Sequence, residues 1–163
     1  MRLCGQQAVW NYEEENGILT IQGVGAMEDY TEPEQVPWNS LMQEIKVVVI
    51  RDGITTVGDY AFAGCSNLQE VTLPGSVEIV GVFSFKGCTG LREIVIPEGV
   101  RVLASKAFQF CSALKKVYLP STLIDVDMRA FGKCESLEEV FYQGSEEQWE
   151  QIMISRSASD NQY

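Results

Sequence analysis

Four cysteines, Cys65, Cys88, Cys111 and Cys134, recur at a constant step of 23 residues, and the chain contains no histidine. Thiols in such a series could ligate zinc, pair as disulfides or act as nucleophiles. Zinc sites draw their ligands from close pairs such as C-x2-C, often completed by histidine, whereas these thiols are spaced one period apart in a line. Bridges between adjacent copies are sterically conceivable. The position, however, reads as a small apolar slot facing inward, so buried free thiols are expected. Cys4 stands apart near the N-terminus. Without histidine, Ser-His-Asp and Cys-His catalysis is excluded.

The carboxylates offer little more. Asp125 and Asp127 are two residues apart and Glu13, Glu14 and Glu15 form a run. Neither group has the ligand density of a calcium loop, and both read as solvated charge. Gly23-x-Gly25 lacks the third glycine and the helix of a phosphate-binding loop. No enzyme activity, metal or cofactor is expected.

The step that relates the cysteines runs through the whole chain. It links Phe62, Phe85, Phe108 and Phe131, as well as Leu68, Leu91, Leu114 and Leu137. It links Val71, Ile94, Val117 and Val140, and also Val57, Val80, Leu103 and Val126. Pro74, Pro97 and Pro120 obey it too, and an earlier copy starts at Ile45 with Val48, Ile50 and Ile54. Fixed-period self-similarity of this length marks a stacked-repeat architecture. Within a copy, Val71-x-Leu73 alternates as a strand with one buried face would. The following proline removes a donor and ends the ladder. Gly58 and Gly81 are read as permissive turns, and Ala-Phe-x-x-Cys as a single helical or 3₁₀ turn. One copy cannot bury its own apolar face, whereas stacked copies share a continuous core. Five strands at about 4.8 Å give a solenoid roughly 20 to 25 Å long.

The motif Leu68-x-x-Val71-x-Leu73-Pro74, followed by Val77, Val80-Gly81, Phe85 and Cys88, resembles bacterial leucine-rich repeats of the BspA or Treponema type. Trp10-Asn11-Tyr12, Gly23-x-Gly25-Ala26-Met27 and Pro37-Trp38 look like the region that precedes such repeats, and Tyr142-x-Gly144-Ser145-x-x-Gln148-Trp149 looks like their exit. Departures are Ala104 and Asp127 at the turn glycine, Ser84 before Phe85, and Arg51 at the proline position. The implied fold is a leucine-rich-repeat solenoid of the α/β class, mostly β, with parallel strands on the concave face and short helical or 3₁₀ turns on the convex side. The resemblance also implies an extracellular or cell-surface bacterial protein. Its partners would be a host extracellular-matrix or cell-surface protein, a mucin or glycan, or another bacterial surface protein.

One continuous domain is expected, in three parts. Residues 1–44 form an N-terminal cap, with a hairpin turning at Asn16-Gly17 and a short helix over Pro37–Met42. Residues 45–143 carry the repeats. Residues 144–163 supply a capping helix, signalled by the Ser145-x-x-Gln148 capping box and running through Trp149, Ile152 and Met153, before frayed final residues.

At net charge −11 the chain is a poor ligand for nucleic acid or anionic membranes. No apolar run is long enough to cross a bilayer. No signal peptide is read at Met1–Gly5, and no anchor in the polar C-terminus. The candidate binding surface is therefore the pair of variable strand columns on the concave face. One is Val49, Thr72, Val95, Tyr118 and Phe141; the other includes Glu70, Glu93, Lys116 and Glu139. Tyr118 beside Phe141 has hot-spot composition. β-branched and aromatic residues also suit exposed strands for packing alone, and a C-terminal helix could cover Phe141. The rival reading is a structural spacer, or a fragment of a longer solenoid with no ligand of its own.

Overall fold

The computed structural model describes residues 2–127 and 129–154. Strands β1 (Gln7–Glu13) and β2 (Ile18–Ala26) form an antiparallel hairpin. Gly17 turns it at φ +67°, and its N–H donates to the Glu13 carbonyl (2.9 Å). A β-carbon at Gly17 would sit 2.7 Å from the Glu44 carbonyl, so glycine is required there for space as well as for conformation. Glu13, Glu14 and Glu15 lie exposed at the hairpin's end, as expected. The Pro37–Met42 segment makes a single 3₁₀ turn, Asn39–Leu41.

β2 does double duty as the first coil of the solenoid. Its residues Ile18–Ile21 pair in parallel with β3 (Val47–Ile50), and its end, Gly25 and Ala26, pairs with β4 (Ile54–Val57). From there each coil contributes two strands. The first row continues through β5 (Glu70–Thr72), β7 (Glu93–Val95), β9 (Lys116–Leu119) and β11 (Glu139–Tyr142). The second row continues through β6 (Ile79–Val80), β8 (Val102–Leu103), β10 (Asp125–Val126) and β12 (Met153–Ile154). This second parallel row was not anticipated from the sequence. Its strand Ile79–Val80 is two residues long, and the buried residue before Val80 is Val77, three positions away, so no period-two signature of a strand shows.

The first row is not continuous. β5 and β7 lie side by side, but the hydrogen-bonded ladder stops between them. In neighbouring coils, pairs of amides such as Lys115 and Lys116 converge on one carbonyl, that of Arg92. Among the described residues, Arg92 and Glu93 make no such donation to Gln69.

The third side of each coil is built from overlapping turns. Tyr60, Phe62 and Gly64 donate to the Val82, Ser84 and Lys86 carbonyls of the next coil (2.9, 2.7 and 2.7 Å). Ala61, Ala63 and Cys65 donate back three residues within their own coil. The i→i+3 bonds are those of the expected 3₁₀ turn. Alternate amides are committed to the next coil, so no helix propagates. This zigzag requires left-handed residues at Tyr60, Phe83, Lys106 and Arg129, with φ between 55° and 58°. A second left-handed column follows at Gly64, Gly87, Phe110 and Lys133.

Gly58 and Gly81 therefore play a different part from the permissive turns read from the sequence. The left-handed residues come two positions later, at Tyr60 and Phe83. What Gly58 and Gly81 provide is close approach between coils. A β-carbon on Gly58 would collide with the Glu28 carbonyl, and one on Gly81 would lie 2.6 Å from the Val57 carbonyl. Where Ala104 and Asp127 replace them, the amide bond to the preceding coil persists, to Val80 (2.9 Å) and Leu103 (2.8 Å).

The core is a set of ladders. Phe62, Phe85, Phe108 and Phe131 stack with ring centroids 5.1 to 5.3 Å apart, and Trp38 extends the column at 5.5 Å from Phe62. Trp38 Nε1–H donates to the Ala61 carbonyl (2.9 Å), which satisfies the one polar atom of that buried ring. Cys65, Cys88 and Cys111 are buried, Cys134 is half-buried, and all are free.

At the far end, α1 (Glu146–Gln151) begins with the expected capping box. Gln148 N–H donates to Ser145 Oγ (3.1 Å), and Ser145 N–H donates to Gln148 Oε1 (2.8 Å). The helix is shorter than expected. Ile152 leaves the helical region (φ −65°, ψ 121°), and Met153, expected within the helix, instead starts β12, which pairs with β10. Helix propensity yields here to a strand partner already in place. The fraying expected of the final residues concerns 155–163, which lie outside the described residues.

Candidate interaction face

Strand periodicity places the candidate residues. Val48, Val71, Ile94 and Val117 point inward and are buried, so their neighbours point out. Register then aligns those neighbours coil on coil. Val49 lies opposite Thr72, Val95 opposite Tyr118, and Tyr118 opposite Phe141. The adjacent column aligns Glu93 with Lys116 and Lys116 with Glu139, and Val47 with Glu70. All nine candidate residues thus occupy the outer face of the first row, although the interruption between β5 and β7 separates Val49, Glu70 and Thr72 from the rest.

Tyr118 and Phe141 stack at 4.8 Å with their planes 15° apart. Phe141 remains 41% exposed and Val95 52%. The capping helix does not cover Phe141; its Trp149 packs on Tyr142 instead, 5.1 Å between centroids. Lys116 Nζ meets Glu139 Oε1 at 3.5 Å with both side chains nearly half exposed, a pair worth at most about 1 kcal/mol. A shallow groove lined by Glu70, Thr72, Glu93, Val95 and Pro97 opens where the ladder is interrupted. The face offers an aromatic plateau, a β-branched strip and a mixed-charge rim.

The chemical candidates lie elsewhere, and burial favours the neutral form of the thiols among them. Burial pushes the Cys65 thiol up to about 12, and Cys88 is raised by the same cause. Their sulfur atoms point at backbone: Cys88 Sγ donates to the Phe62 carbonyl (3.3 Å) and Cys111 Sγ to that of Phe85 (3.2 Å). Cys4 is also pushed up to about 12, by burial and then by Glu28. Such thiols are poor nucleophiles. Asp125 is raised by burial and by Asp127. Among the described residues, no three Cys, Asp or Glu side chains converge as a metal set would.

One surface cluster escaped the sequence reading. Phe83 lies between the Lys86 and Lys106 ammonium groups (4.9 and 5.2 Å from its ring) and against Tyr60 (4.9 Å), with Phe110 exposed beside it. Tyr60, Phe83 and Lys106 are 23 residues apart, so the period could have revealed this column. The reading followed columns of constant chemistry, and this one changes from aromatic to cationic.

The BspA-type leucine-rich repeat model matches residues 40–159 with six copies. The chain belongs to this family. BspA-type repeats imply a protein-interaction module and are typically non-enzymatic. Crystal structures with the same fold include a leucine-rich repeat protein from Eubacterium ventriosum, 23% identical with a TM-score of 0.66, covering 86% of this chain and 43% of that one. A leucine-rich cell surface protein from Faecalibacterium prausnitzii is 22% identical with a TM-score of 0.74, covering 96% and 42%. The T. pallidum leucine-rich repeat protein is 17% identical with a TM-score of 0.51, covering 88% and 84%. The chain thus spans less than half the length of the first two. No curated protein matches it. The solenoid fold and the BspA-type repeat, both expected from the sequence, are therefore those observed.

Proposed function

We propose that this BspA-type solenoid is the binding portion of a bacterial surface or secreted protein, and that it engages its partner through the outer face of the first strand row. The observation that carries this reading is the in-register alignment of exposed Val95, half-buried Tyr118 and exposed Phe141, an apolar and aromatic strip flanked by Glu93, Lys116 and Glu139. Exposed aromatics rimmed by charge are how interfaces concentrate affinity. The partner is a protein or glycan of the extracellular environment: matrix protein, host surface protein, mucin, or another bacterial surface protein. One observation supports placement outside the cell: the fold neighbour from F. prausnitzii is described as a cell surface protein. In this reading the parts 1–44 and 144–163, of which residue 1 and residues 155–163 lie outside the described residues, are the two end caps, and residues 45–143 carry the face.

The test is a binding screen against matrix proteins, mucins, glycans and bacterial surface extracts, run beside Tyr118→Glu with Lys116→Glu. Loss of binding in the folded double variant is the expected result; equal binding by both proteins removes the face from consideration. The spacer reading draws on the chain's spanning less than half of two fold neighbours. A panel in which no member binds favours it.

A further inference from the structure

The inward column that runs through the first row is fully packed until its last member. Val117 is 0% exposed, whereas Val140, one coil further, is 38% exposed. At the same level the ring column ends on Phe131, and Cys134 and Leu137 are only half-buried. Between this last coil and α1 lies an apolar cleft of about 330 Å³, lined by Leu119, Val126, Phe131, Val140, Tyr142 and Trp149, with Glu146 at its edge. An apolar cavity of about 150 Å³ already admits benzene, so this one accommodates an aromatic side chain. The Tyr142 hydroxyl is buried there without a hydrogen-bond partner.

Beside the cleft runs a strand edge that is open among the described residues, where β11 pairs with β9 on one side and is the terminal strand of its sheet. β12 extends only the second row. An open edge presents backbone donors and acceptors ready to receive another strand. The surrounding charge selects which strand. Glu135, Glu138, Glu139, Glu146, Glu147 and Glu150 are all exposed at this end, and they outnumber the cations there, Lys115, Lys116, Arg129 and Lys133. A second copy of the chain would bring the same carboxylates face to face, and like charges in apposition oppose association. A basic segment is attracted.

We propose that the C-terminal end of the solenoid binds an extended, basic peptide segment of another protein by strand addition to β11. One aromatic side chain seats in the cleft against Phe131 and Trp149. Lysines or arginines at the alternate positions face the glutamates. The site adjoins the outer face, with which it shares β11 and Glu139, but its cleft and strand edge lie away from Val95 on β7.

The experiment uses the 163-residue chain and a fluorescein-labelled peptide alternating lysine with phenylalanine, read by fluorescence anisotropy. Binding is expected, weakened at least tenfold by Trp149→Ala and by Val140→Lys, the latter at an exposed position with thermal melting as the fold control. N-methylation of the peptide amides that face β11 should weaken it similarly, and replacing its lysines by glutamate should abolish it. Val95→Glu, on the outer face of β7, should leave it unchanged, so failure here and failure of the outer-face reading are separable. Absence of binding, or equal binding to Val140→Lys, overturns the proposal. So does a dimer in sedimentation equilibrium that Val140→Lys dissolves, which would make a second copy the occupant. Binding that emerges only on deleting residues 155–163 would assign the cleft to the chain's own segment.

Discussion

The phenylalanine column permits a sharp comparison between two chemically identical truncations. Phe85 is fully buried and stacks on both sides, on Phe62 at 5.2 Å and on Phe108 at 5.1 Å. Phe131 stacks on Phe108 alone and lines the apolar cleft on its other face. Truncating a buried phenylalanine to alanine costs about 3–5 kcal/mol, more where the surroundings cannot relax. Each stacked pair adds about 0.5–1.5 kcal/mol beyond area burial. Phe85→Ala loses two pairs and leaves a cavity clamped between rigid coils, which places it near the top of that range. Phe131→Ala loses one pair and merges its void with existing space, which places it about 1–2 kcal/mol lower. Urea unfolding followed by circular dichroism, with equal slopes for the two variants, measures both. Equal losses, or a greater loss at Phe131, would show that the last coil is as tightly packed as the middle one and would refute the reasoning about the open end.

Three further outcomes follow from the same coordinates. Ser84 is buried with its hydroxyl unpartnered, while Ala61, Ala107 and Ala130 fill the equivalent positions. Ser84→Ala should therefore raise stability by about 1 kcal/mol in chemical denaturation. Gly58→Ala should lower it by about 2 kcal/mol or more, because the new methyl meets the Glu28 carbonyl; a neutral result would contradict the close approach. The Cys65 thiol is raised to about 12 from 9.0 by burial, so its neutral form is favoured by folding. Its contribution is complete below pH 9, where both states are protonated, and it is lost as pH climbs from about 9 toward 12. The alkaline fall in urea midpoint should shrink in Cys65→Ala.

The repeat, and with it most of the core, was legible because each inward column holds one kind of residue. Phe62, Phe85, Phe108 and Phe131 declare the period and their own burial together. The hairpin at Gly17 and the cap at Ser145 were legible because each depends on local chemistry within a few residues. The second strand row was not, since a two-residue strand such as Ile79–Val80 has no periodicity to read and exists only through its neighbours above and below. For the same reason Met153 reads as helix in isolation and becomes strand beside Asp125. The role of Gly58 was misread because the demand on it comes from Glu28, thirty positions away, and not from its own turn. Of the candidate face, the columns were legible from alternation. The stacking of Tyr118 on Phe141 and the freedom of Phe141 from α1 required coordinates.

The break in the first row between β5 and β7 gives the solenoid a seam. In a stacked array each unit is held by its nearest neighbours, and cooperativity is only as strong as the weakest junction. Here that junction falls near the middle, where hydrogen bonds cross through the second row and through the turn side, from Phe83, Phe85 and Gly87, but not through the first-row ladder. Lacking the first-row ladder, this seam is where the amino-terminal and carboxy-terminal coils would part first, as two blocks, under pull or mild denaturant. A ligand lying across the groove, touching Thr72 on one side and Val95 on the other, would suture the two blocks. Its occupancy would be readable as two unfolding steps merging into one.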